Sequence, residues 1–126
     1  MVQGRLGRKG VTLAKSSELL RLIEHRIDLY NRHYRFDFND IKIKRMKSRW
    51  GSCSRKKNLN FNAKLALLPS ELIDYVIVHE LCHLREFNHS RKFWALVAQT
   101  MPHWKKLRKE LRLSSTYVTR RIYYFV

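Results

Sequence analysis

Leu19, Leu20, Ile23, Ile27, Tyr30 and Tyr34 recur every three or four positions, which predicts an amphipathic helix ending near Tyr34. Ser16 or Ser17 is placed to cap it. Phe36 to Asp40 has turn composition, after which Ile41-Lys42-Ile43-Lys44-Arg45-Met46 begins by alternating apolar and basic, the period of a strand. Arg49 to Cys53 and Asn58 to Asn62 predict two more short strands. The Ser54-Arg55-Lys56-Lys57 turn joins them as a hairpin, with Leu59 and Phe61 on one face. Leu65, Leu67 and Leu68 lead into a longer helical pattern carrying Ile73, Val76, Ile77, Leu81 and Leu84. It predicts a helix from about Pro69 to Phe87, with Pro69 at the first helical position and Glu71 in the first turn. Asn88 can end that helix in a left-handed conformation, and Ser90 can cap the next. That next helix carries Phe93, Trp94, Val97, Ala98 and Met101 and stops at Pro102. A short basic helix follows on Trp104, Leu107 and Leu111, and Ile122 to Val126 reads as a strand or packed tail. Helix, small sheet, then more helices is an α+β order. The aromatics Trp50, Phe61, Phe87, Phe93, Trp94 and Trp104 are expected in the core rather than as stacking platforms.

A chain of 126 residues, 44% hydrophobic, supports one domain with one modest core. The divisions expected are a basic arm over 1–15, the domain proper over 16–112 and a tail over 113–126. Two cysteines do not make a disulfide framework, and no apolar run is long enough for a membrane span, so a reducing cytoplasm is the expected setting. Charge changes this ordinary picture. Lys and Arg number 27 against 10 Asp and Glu, a net +17. Such a surface attracts polyanions, yet no helix-turn-helix, RNA-recognition signature or zinc-finger spacing accompanies it. Two readings stay open: a solvated basic surface, or contact with a nucleotide or nucleic acid.

The chemistry sits on the second long helix. His79-Glu80-Leu81-Cys82-His83 places two imidazoles at i and i+4, one above the other, able to grip one metal ion. At about 100° per residue, Glu80 projects to one side of that pair, where its carboxylate can serve a water without being a ligand. His89, six residues beyond His83, offers a third nitrogen; the alternative is a solvent-facing loop histidine. Three imidazoles with one open position describe a catalytic zinc, one Zn2+ per chain, and so a hydrolase. Ile77, Leu81 and Leu84 lie away from the histidines, so one face of the helix should pack and the other should meet a cleft. Cys82 reads as a small buried thiol, and His25 and His33 as surface residues outside the first helix's apolar stripe.

Four stretches occur together: Arg49-Trp50-Gly51-Ser52-Cys53, Leu59-Asn60-Phe61-Asn62, Ile73 to Leu84, and Asn88-His89-Ser90 with Phe93-Trp94. In this order they resemble the YgjP-like zinc metallopeptidases, relatives of the SprT-like proteases within the zincins, over about residues 15–112. The resemblance implies a minimal zincin with a three-stranded sheet beside the HExxH helix. It implies zinc on His79, His83 and His89, and Glu80 as catalytic base. Members usually carry a β-rich region ahead of this domain, with no counterpart here. Some members are described as pyrophosphatases acting on UTP, so a nucleotide substrate stands beside a peptide or protein one. A third reading is a basic nucleic-acid-binding module with a structural zinc. On the peptidase reading, substrate adds as a strand beside Arg49–Cys53 or Asn58–Asn62. Arg49, Trp50, Gly51, Ser52 and Arg85 are then candidate substrate contacts, and Arg85, His103 and Tyr75 candidate oxyanion donors.

Overall fold

The computed structural model describes residues 13–118. Most of the expected basic arm and the strand-like end at Ile122–Val126 lie outside the described residues. Helix α1 spans Leu13–Tyr34, earlier at its start than the serines suggested. Strands β1 (Asp40–Lys44), β2 (Gly51–Cys53) and β3 (Asn58–Asn62) follow, then a 3-10 turn at Ala63–Leu67. Helices α2 (Ser70–Cys82), α3 (Arg91–Thr100) and α4 (Trp104–Val118) complete the order, an α+β fold. The last helix is therefore longer than the short basic helix expected, running past residue 112.

The sheet order is β1-β3-β2. β2 and β3 form the expected antiparallel hairpin, Gly51 opposite Phe61. Lys57, at φ 67°, closes its turn by donating its N–H to Ser54 O at 2.9 Å. β1 pairs parallel to β3, Ile41 beside Leu59 and Ile43 beside Phe61. β3 is thus central, and both its faces are covered: Leu59 and Phe61 are fully buried, and Asn60 and Asn62 are buried too. The alternative of substrate adding beside Asn58–Asn62 is corrected by this order, because β3 has no free edge. β2 does.

Every residue of α2 from Leu72 to Cys82 is buried. The sequence pattern suggested one packed face and one open one; instead α1, the sheet, α3 and α4 enclose the helix on all sides. Asp74 ties it to α1, accepting from Arg26 Nε at 2.9 Å, from Arg26 Nη2, and from Tyr30 Oη at 3.0 Å. Trp50, Phe61, Tyr75, Phe93, Ile23 and Leu111 are among the largest fully buried side chains. Phe87 departs from the core expectation, being 43% exposed, and Trp94 and Trp104 are half-buried. No helix among the described residues is long and apolar enough to cross a membrane.

Candidate active site

α2 begins one residue later than expected, with Pro69 as its N-cap (ψ 150°). It also ends sooner than Phe87: His83 is the C-cap, and residues 83–85 form a turn. His79 and Glu80 are therefore inside the last helical turn and His83 just at its end. The chain then reverses through Asn88 without a left-handed residue there, since only Arg35 and Lys57 have positive φ among the described non-glycine residues. The ring of His83 fixes this reversal, its Nδ1 lying 3.0 Å from Glu86 O. Ser90 caps α3 as expected, its hydroxyl accepting from Phe93 N–H at 3.3 Å. That cap sets the position of His89 immediately before it.

The three Nε2 atoms converge. His79 and His83 stand 3.2 Å apart, and His89 is 3.0 Å from each. Imidazole nitrogens about 2.0–2.1 Å from a tetrahedral zinc stand roughly 3.3–3.4 Å from one another, close to this spacing. These histidines form a group that could hold a metal ion. His83 has the tautomer such a site requires: an Nδ1–H donating to Glu86 O leaves the Nε2 lone pair facing inward. His79 Nδ1 and Tyr75 Oη are buried with no hydrogen-bond partner. Burial pushes His79 well below the usual imidazole value, helped by His83, His89 and Arg108. Burial also lowers His83, to about 4, and His89. Neutral rings with available lone pairs are the forms that bind metal.

Glu80 is 3% exposed, and its Oε1 has no hydrogen-bond partner. Burial raises its pKa to about 8, with Arg49 pulling the other way. A cavity of about 160 Å³ joins the triad and Glu80 to Arg49, Gly51, Ser52, Cys53 and Phe87. Three of the candidate substrate contacts, Arg49, Gly51 and Ser52, therefore reach the site. Trp50 does not: its indole is fully buried, donating from Nε1 to Ser115 Oγ at 2.9 Å. Arg85 does not either. The early end of α2 carries it away from the cleft, and its guanidinium lies 5.1 Å from the centre of the Phe36 ring. His103 is exposed and outside the cavity lining, and Tyr75 lies behind His79 at 5.9 Å between ring centres.

Three residues were missed from the sequence. Cys53 lines the cavity, its thiol pushed up to about 12 by burial and the Glu80 charge. Phe87 forms the rim with the Arg55 guanidinium 4.5 Å above its ring. Asn62 is fully buried; its amide donates to Met46 O at 2.9 Å and Arg49 O at 2.7 Å, holding the loop that presents Arg49. A buried asparagine inside a predicted strand was the available signal.

A family model for the YgjP-like metallopeptidase domain matches residues 5–114. Comparison with curated proteins finds no match. Among solved structures, the metallopeptidase zymogen of Pyrococcus abyssi abylysin superposes with a TM-score of 0.70 at 18% identity, covering 81% of this chain and 99% of that one. The metallopeptidase zymogen of Methanocaldococcus jannaschii jannalysin gives a TM-score of 0.62 at 25% identity, covering 75% and 96%.

Proposed function

Because the chain belongs to the YgjP-like family of metallopeptidase domains, it is a zinc metallopeptidase, and we propose that His79, His83 and His89 are its metal ligands and Glu80 its general base. The observation that carries this is the meeting of three inward-facing Nε2 atoms beside a buried carboxylate whose Oε1 has no partner. Zinc held there supplies Lewis acidity to the scissile carbonyl and to the attacking water. Glu80 Oε1 is the atom placed to take the proton of that water and return it to the leaving amine. Burial raises its pKa in the metal-free chain, and a dication held beside it would pull the other way, toward the carboxylate that accepts the proton.

Substrate binds as an extended strand on the free edge of β2, which borders the cavity. Arg49 then stands at the cleft mouth as a donor toward the substrate carbonyl or a substrate carboxylate. The nucleotide reading has less support, because among the described residues Arg49 is the one guanidinium or ammonium group in the cavity lining, thin provision for a triphosphate. A purely structural metal leaves the burial of an ionisable Glu80 without a purpose. Cys53 and Cys82, both free, are compatible with a reducing, cytoplasmic setting.

The test is Glu80→Gln with casein and short peptides as substrates. The variant should keep about one zinc per chain and lose roughly 10²–10⁴-fold in kcat/KM. Undiminished turnover would remove Glu80 from the mechanism; loss of zinc together with activity would make it a structural residue instead.

A further inference from the structure

A second cavity, about 280 Å³, lies on α4 and shares no residue with the active-site cleft. Its lining is Trp104, Lys105, Arg108, Lys109 and Arg112, one aromatic ring and four cations. The four cations fall at i, i+3, i+4 and i+7, so they form one stripe about 10 Å long on the helix. Glu110, the one carboxylate of α4, is turned out of the stripe, 4.0 Å from Lys106. The aromatic wall is a stacked pair. Trp104 stacks on Trp94 at 4.0 Å with planes 14° apart. The Arg108 guanidinium sits 5.4 Å from the centre of Trp94, and the Lys105 ammonium 5.6 Å from that of Trp104.

We propose that this α4 cavity binds single-stranded nucleic acid, with the stripe on neighbouring phosphates and Trp104 against a base. The ligand follows from the two kinds of lining group. Inorganic phosphate or an acidic peptide engages the cations and leaves the indole unused. A nucleotide unit presents an anion and a π-face together, and stacking on aromatic rings beside a basic groove is how single strands are held. A paired base cannot reach a half-buried ring, which favours single strands over duplex. The net +17 supplies the long-range attraction. This proposal does not rest on the peptidase reading: the two cavities share no lining residue, although Trp94 and Arg108 adjoin the histidines from behind.

The experiment is fluorescence anisotropy with a labelled oligothymidylate of about 15 nucleotides, near the upper end of usual single-strand site sizes. Competitors are the matching duplex, polyglutamate and inorganic phosphate. Lys105→Glu/Lys109→Glu is compared with Lys42→Glu/Lys44→Glu, an equal charge change on exposed β1 positions. Zinc content and circular dichroism establish that each variant is folded. The α4 pair should lose more than about tenfold in affinity and the β1 pair less than about threefold, because only the former touches the phosphate stripe. Binding should also quench tryptophan fluorescence. Equal losses from both pairs would mean net charge alone is responsible and overturn the site. Competition by duplex, polyglutamate or phosphate as strong as by the single strand would overturn the ligand, and absence of binding would overturn both.

Discussion

A methyl group at Gly51 would stand 3.0 Å from Cγ of Glu80, 3.2 Å from its Oε2 and 3.1 Å from the backbone oxygen of Asn60. The Asn60 oxygen belongs to the central strand and is not free to give way, so the carboxylate must. Gly51 is therefore a positioning residue for Glu80 as well as part of the cleft wall. Gly51→Ala should lower kcat/KM by about 10–100-fold, the scale of an ångström-sized misplacement of a catalytic group. Zinc content should be unchanged, because the atoms nearest the added methyl belong to Glu80 and Asn60 and to none of the histidines. Full activity in that variant would show that the strand does not set the carboxylate's place. The burial of Glu80 makes a second prediction, for the metal-free chain. Its folded pKa, about 8, is above the ordinary 4.5. The stability it contributes is then fully present below pH 4.5 and is lost as pH rises through about 8. Glu80→Gln removes this dependence. Metal-free wild type and variant should match near pH 4.5, and the variant should be the more stable above pH 8. At ~1.4 kcal/mol per pKa unit the gap is on the order of a few kcal/mol. Parallel stability curves for the two proteins would refute the raised pKa.

At the scale of elements, Ser90 matters more than its size suggests. Its hydroxyl satisfies Phe93 N–H at the start of α3, and the preceding residue is His89. Ser90→Ala should cost about 0.5–2 kcal/mol and loosen zinc binding through fraying of that turn. Ser90→Asp, which keeps a capping oxygen, should restore both. Failure of the rescue, read by zinc titration and thermal melting, would mean the cap is not what holds His89. This cap was legible in the sequence because capping is local, decided by one side chain and the amide three residues on. The HExxH spacing and the hairpin were legible for the same reason. The premature end of α2 was not: the His83 ring bonding to Glu86 O replaces a helical continuation that the apolar pattern through Leu84 favoured. From that follow the misplacement of Arg85 and the ordinary backbone of Asn88. The parallel pairing of β1 with β3 was equally hidden, since it joins strands separated by β2 and its turn. Trp50 is in the core, as its aromatic character suggested, and is lost as a substrate contact because Ser115, far along the chain, holds its indole inward.

For the whole molecule, the site is a junction. α1 is fastened to α2 through Arg26, Tyr30 and Asp74. α4 is fastened to the start of β2 through Ser115 and Trp50. The α2–α3 turn is held by the His83 ring on Glu86 O and by the Ser90 cap, and the three imidazoles meet across it. Zinc bound there in the folded state alone raises stability by mass action. At free zinc about 1,000 times Kd the gain is ~4 kcal/mol. For a domain of roughly a hundred residues that corresponds to a Tm shift of about 15–30 °C. Chelation should therefore lower the melting temperature of wild type by an amount in this range. His89→Ala, which removes one of the three nitrogens, should melt at nearly the same temperature with and without chelator. A large chelator effect that survives in His89→Ala would place the stabilising ion somewhere other than the three-histidine centre.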